Sequence, residues 1–199
     1  MPTLVAQLEL GPPLRSVAER GYAFVPAALD EAFRARLAAE IAAGPFRQFR
    51  EEFGQVRQQI DGYDVDAPFD GFAELAALCR DLTRGVREQG TGIRGLASWR
   101  VTEVGIAHYR PGSIGITPHM DGKGYRALVA VVTLHGTAPF AICSDREGTV
   151  IEGWDARPGD LTLMRGPGLG GVADGRPLHM AGTPPRGERT SIGLRMKPK

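Results

Sequence analysis

Cysteine is scarce in this chain of 199 residues: there are two, Cys79 and Cys143, far apart. That excludes a disulfide framework and the paired CxxC thiolates of a structural zinc site. Long apolar runs are missing too. No window approaches the roughly 18 apolar residues a spanning helix needs, and the opening stretch "MPTLVAQLELGPPLRS" lacks a basic head followed by a sustained apolar segment. The formal net charge is only +1, so the overall balance advertises neither nucleic acid nor an anionic membrane as a partner. The expectation is a soluble cytoplasmic protein with no membrane association.

What the chain does have is 42% hydrophobic residues, with 27 glycines and 15 prolines. That is enough to bury a core without staples, and the length suits a single domain over residues 1–199. Two halves with different periodicity are expected within it. Residues 1–98 read as a helical N-terminal part. After a short strand candidate, "GYAFVP", Asp30 is placed to cap a helix with apolar positions Phe33, Leu37 and Ile41, ended by Gly44-Pro45. A second helix is expected from about Gly71 to Gln89, with Phe72, Leu75, Leu78, Leu82 and Val86 on one stripe and Gly90 as the stop. Between them, residues 45–70 have no clean period and are rich in Arg, Gln and Phe. They are expected to form a surface loop or irregular hairpin, with Arg57 a candidate substrate contact in a covering lid.

From residue 99 onward, short β-branched runs alternate with Gly/Pro turns: "WRVTEVGIAHY", "SIGITPH", "RALVAVVTLHG", "APFAICS", "GTVIEGW", "DLTLMR", "PLHMAG" and "RTSIGLRM". Eight short strands at this spacing predict a jelly roll over 99–199. The fold class is therefore α+β, mainly β: a double-stranded β-helix with the N-terminal helices packed on one sheet.

Two of the four histidines lie in the chemistry-bearing positions of that half. His119 and Asp121 are separated by one residue, so on an extended strand both project to one face. His179, in the seventh strand, is the best supply of a third ligand, since a jelly roll can bring that strand beside the second. Two imidazoles and one carboxylate on one face leave the other positions of an octahedral ion open, the arrangement of non-haem iron(II) oxygenases. Ten residues after His179 comes Arg189, followed by Ser191. An arginine inside a small barrel is costly unless it meets an anion, and a dicarboxylate co-substrate would form a planar bidentate pair with it.

The order His119-Met-Asp121, His179, Arg189-Thr-Ser191 resembles the signature of the iron(II)- and 2-oxoglutarate-dependent dioxygenases. The resemblance implies that His119, Asp121 and His179 bind Fe(2+), that Arg189 and Ser191 hold the distal carboxylate of 2-oxoglutarate, and that O2 is the second co-substrate. Tyr109 matches a tyrosine that contacts 2-oxoglutarate in several branches. Over Val101 to Met196 the layout is similar to the branch containing the AlkB demethylases, which keeps a second arginine where this chain has Arg195; the resemblance implies that Arg195 also contacts 2-oxoglutarate. That branch usually carries asparagine at the positions of Ala107 and Ser191.

The function expected from this resemblance is hydroxylation of a small-molecule substrate with release of succinate and CO2. The alternatives are an AlkB-like oxidative demethylase of alkylated nucleobases in DNA or RNA, and a non-catalytic cupin-like metal-binding module. A small-molecule partner is favoured over nucleic acid. Lys123, Tyr125 and Arg126 follow the His-Met-Asp stretch and are expected near the mouth as substrate contacts.

Overall fold

The computed structural model describes residues 3–198. Three helices occupy the N-terminal half: α1 (Gly11–Arg20), α2 (Glu31–Ala42) and α3 (Ala73–Gln89). α2 starts where the Asp30 carboxylate accepts the N–H of Phe33 at 2.8 Å, and it buries Phe33, Leu37 and Ile41. α1 was not anticipated from the sequence. It carries proline in its first turn, where a missing N–H costs nothing. It ends at Gly21, whose left-handed φ of 98° lets its N–H close on the carbonyl of Val17.

The helices cap one another. The Glu40 carboxylate of α2 accepts from the first amides of α3, Glu74 and Leu75, both at 2.9 Å. The Gln89 side chain, at the end of α3, accepts from Leu10 and Gly11 at the start of α1. Free helix-end amides are thus satisfied by neighbouring helices, which fixes the three as one layer.

The strands are β1 (Tyr22–Val25), β2 (Arg47–Gln48), β3 (Glu52–Phe53), β4 (Val56–Arg57), β5 (Asp61–Asp66), β6 (Glu103–Tyr109), β7 (Ile116–His119), β8 (Leu128–His135), β9 (Ala138–Cys143), β10 (Val150–Ala156), β11 (Leu161–Arg165), β12 (Leu178–Ala181) and β13 (Arg189–Arg195). All eight strands expected after residue 99 are present, β6 to β13. A seven-stranded sheet runs β1-β11-β8-β13-β6-β5-β2, and a four-stranded sheet runs β10-β9-β12-β7. The pairs within them are antiparallel. This is the jelly roll expected from the strand count.

Period-two alternation divides the large sheet into two faces. Val104, Ile106, Ala130, Val132, Leu134, Leu161, Leu163, Ile192 and Leu194 pack with the helices in the main core. Tyr109, Val129 and Met164 join Phe140, Ile142 and Ala181 of the small sheet in a second cluster between the sheets. One sheet face therefore carries the helices, and the other is left to enclose a chamber.

Residues 45–70 are more regular than their sequence suggests. β2 and β5 extend the large sheet, and β3 and β4 form a separate hairpin. β4 leans on β7: the Arg57 amide donates to Thr117 Oγ1 at 2.9 Å, and Gln58 bridges to Ile116.

Candidate active site

β12 lies antiparallel to β7 with His179 directly opposite His119. Directly opposed residues share a face with their Cβ atoms about 5 Å apart, and the two imidazole centroids lie 4.3 Å apart. Asp121, just past the end of β7, completes a group whose ligand atoms all lie within 4.8 Å of one another. Each histidine is oriented from behind. Nδ1 of His119 is 2.9 Å from the Thr117 carbonyl, and Nδ1 of His179 is 3.1 Å from that of Pro177. A carbonyl only accepts, so both Nδ1 atoms carry the proton and both Nε2 lone pairs face the group. Burial, and then the neighbouring His179, push the pKa of His119 down to about 4. The site therefore presents a neutral imidazole there, the form that ligates metal.

Asp121 is held by its backbone as well. Arg176 donates from Nη1 to the Asp121 carbonyl oxygen, and its Nε and Nη2 form a forked pair with Asp174 at 2.8 and 2.9 Å. Asp174 is held well below the usual carboxylate range, chiefly by the Arg176 hydrogen bond. Phe140 stacks on His179 at 5.5 Å with 15° between the rings. Sequence reasoning found neither residue. Arg176 lies in a glycine-rich loop with no period to place it, and Phe140 reads as one more core aromatic.

The large sheet faces this group with a ladder of four rungs. β6 and β13 pair Tyr109 with Arg189, Ala107 with Ser191, Gly105 with Gly193, and Glu103 with Arg195. The alternate residues of both strands thus put charge at each end and small residues in the middle. A cavity of about 430 Å³ opens over these middle rungs. Its lining includes His119, Asp121 and His179 from one side, and Tyr109, Arg189, Ser191 and Arg195 from the other.

Arg189 is 1% exposed. One guanidinium nitrogen donates to Thr133 Oγ1 at 3.0 Å, the group lies 5.0 Å from the Tyr109 ring centre, and Nε has no partner. No carboxylate among the described residues pairs with it. Burial lowers its pKa below the ordinary value, and Tyr109 offsets part of that shift. A buried, under-partnered guanidinium costs several kcal/mol unless an anion joins it, by order-of-magnitude reasoning about buried ions.

Arg195 is placed differently. Its Nη1 donates to Glu103 Oε1 at 3.1 Å and to the Tyr125 hydroxyl at 3.2 Å, and that hydroxyl donates to Glu103 Oε1 at 3.0 Å. Lys197 also pairs with Glu103, which is buried. The Arg195 guanidinium folds back across the Gly105–Gly193 rung: a Cβ at Gly105 would sit 2.7 Å from its Nη1, and one at Gly193 3.1 Å from its Nη2. Glu103 was legible in principle, since it lies in phase with Tyr109 along an otherwise apolar strand.

Of the four candidate substrate contacts, Tyr125 lines the cavity, whereas Arg57, Lys123 and Arg126 do not. These last three are exposed. The lid segment contributes other side chains, Phe49, Arg50, Phe53, Val56, Gln58 and Ile60. Phe53 is 72% exposed at the hairpin end.

No family model and no curated protein matches this sequence. Solved structures do. A prolyl-4-hydroxylase from Pseudomonas putida superposes with a TM-score of 0.64 at 19% identity, covering 96% of this chain and all of the other. The non-haem, alpha-ketoglutarate-dependent epimerase SnoN of nogalamycin biosynthesis gives 0.63 at 17% identity over 94% of this chain and 82% of its own. A prolyl hydroxylase from Trichoplax adhaerens, solved with a peptide fragment of the hypoxia inducible factor, gives 0.63 at 11% identity over 93% and 87%. With two facing antiparallel sheets, a His-Asp-His group on one and an arginine on the other, this chain has the fold of the iron(II)- and 2-oxoglutarate-dependent oxygenases.

Proposed function

We propose that the chain is an iron(II)- and 2-oxoglutarate-dependent oxygenase that hydroxylates a small molecule. The observation that carries this reading is Arg189: a buried guanidinium with an open hydrogen-bonding position, facing the same cavity as a three-residue metal group. His119, Asp121 and His179 would hold the iron. Arg189, with Ser191 beside it, would take the distal carboxylate of 2-oxoglutarate, and Tyr109 would lie against that co-substrate. Iron with 2-oxoglutarate and dioxygen supplies the oxidising chemistry, leaving succinate and CO2. The protein's own part is to keep His119 neutral and both imidazoles aimed, to neutralise the dicarboxylate, and to bring a C–H bond over the Gly105–Gly193 rung.

What supports a small-molecule substrate is the cavity's mainly apolar lid-side wall, Phe49, Phe53, Val56 and Ile60 beside Arg50 and Gln58. The two positions at which the chain departs from the AlkB layout, Ala107 and Ser191, lie on one rung. Both are small, and the rung is correspondingly open.

Anaerobic addition of iron(II) and then 2-oxoglutarate tests the reading. A weak visible charge-transfer band is expected, followed on admitting oxygen by succinate, and His179→Ala should abolish both. Metal uptake with neither band nor succinate would identify a non-catalytic metal-binding module instead. Salt-sensitive binding of single-stranded oligonucleotides would redirect the substrate assignment to nucleobases.

A further inference from the structure

A column of aromatic rings leads away from the metal group. Phe140 stacks on His179, Trp154 stacks on Phe140 at 5.2 Å and 23°, and Tyr22 stacks on Trp154 at 6.4 Å and 24°. The column crosses from β9 and β10 of the small sheet to β1 at the edge of the large one. It ends in a proton acceptor: the Tyr22 hydroxyl donates to Glu152 Oε2 at 2.9 Å. Glu152 is 44% exposed and pairs with Arg20.

Packing alone accounts for stacked rings. It does not account for two further features. Trp154 Nε1 is buried with no hydrogen-bond partner, which costs about 1–3 kcal/mol for an unsatisfied donor. The one phenol in the column has a carboxylate to take its proton, and that carboxylate reaches water.

We infer that Trp154 and Tyr22 form an electron-supply line from the protein surface to the metal centre, used when oxygen is activated there with no substrate in place. The inference rests on the oxygenase reading above. Iron held by His119, Asp121 and His179 would couple the oxidation of 2-oxoglutarate to dioxygen, one oxygen atom going into succinate and the other needing two electrons and two protons to become water. Trp154 gives up the first electron through Phe140 and His179. Having no acceptor for its Nε1 proton, the indole remains a radical cation, and it takes an electron from Tyr22. The Tyr22 proton passes to Glu152 as its phenoxyl radical forms. An external one-electron reductant such as ascorbate restores Tyr22, and a second passage delivers the second electron. The two electrons so delivered, with two protons from solvent, would balance release of that oxygen atom as water and restore iron(II).

The line can be read without the metal. Pulse radiolysis of the metal-free protein with azide radical oxidises tryptophan one electron at a time. The indole radical absorption should decay as phenoxyl absorption grows. Tyr22→Phe should abolish that transfer, and Glu152→Gln should slow it at least tenfold. Transfer that survives Tyr22→Phe, or an unchanged rate in Glu152→Gln, would overturn the assignment.

In the loaded protein, iron(II), 2-oxoglutarate and oxygen without substrate should give a freeze-quenched tyrosyl signal by electron paramagnetic resonance. Trp154→Phe should lose that signal while keeping the 2-oxoglutarate charge-transfer band, which shows that the variant is folded. Succinate released with no protein radical would refute the electron line alone. No succinate at all would refute the oxygenase reading, and the line with it.

Discussion

Arg189 separates binding from stability. An under-partnered buried charge does not support the fold, and replacing one by an apolar side chain of similar length is often neutral or stabilising. Arg189→Met should therefore leave the melting temperature of the ligand-free protein unchanged or raised. The same change removes charge-assisted hydrogen bonds worth roughly 1.5–3 kcal/mol, so titration of 2-oxoglutarate into the metal-loaded protein should show it binding about 10- to 150-fold more weakly. A fall in both quantities would mean that Arg189 is a structural residue. Arg176 acts one step further back, through the carbonyl of Asp121. Partners that orient a metal ligand are typically worth 10- to 100-fold in affinity, and Arg176→Met should lose about that much in equilibrium dialysis against iron(II) or a spectroscopic substitute. The grouping of His119, Asp121 and His179 was legible because a spacing of two puts the first pair on one side of an extended segment, and strand order brings His179 opposite His119. Arg176 was not, because a loop residue's contacts follow from the path of the whole loop.

Among the elements, α2 and α3 were readable from their apolar stripes and stops, and α3 begins within two residues of the expected position. α1 was hidden by its two prolines, which read as a turn unless the first-turn tolerance for proline is applied. β5 was hidden by Asp61, Asp64 and Asp66, residues that disfavour strands. It forms because its main chain pairs with β6 over six residues, and Asp61 is neutralised by a two-pronged contact with Arg110. Helix ends offer a clean test at this scale. Asp30→Ala removes the cap on Phe33 and should cost about 1 kcal/mol, measured by urea denaturation. Because α2 lies on the far side of the large sheet from the cavity, 2-oxoglutarate affinity should not change.

For the molecule as a whole, the site's demands oppose stability. The folded pKa of His119, about 4, lies below its ordinary 6.5. Between those values the unfolded chain binds more protons than the folded one, so metal-free stability rises with pH across that window and is lost as pH falls through it. Melting temperatures of the metal-free protein should drop from pH 7 toward pH 4, and the drop should be smaller in His119→Asn. Equal slopes would place the pH sensitivity elsewhere. The main core between helices and sheet carries this burden. Among the described residues no helix is long and apolar enough to cross a membrane, and that core instead joins the helical layer to the back of the β-helix.

The four rungs shared by β6 and β13 also work as a gauge. Successive same-face positions on a strand lie roughly 6.8 Å apart, so the reach of the chamber changes in whole steps, one pair of residues at a time. Side chains placed on the Gly105–Gly193 step would push the Arg195 guanidinium off that rung, shorten the reach by one graduation and leave the Arg189 end untouched. Editing those two facing letters, with Arg195 resettled to make room, would recalibrate a chain of this design for a shorter or longer guest.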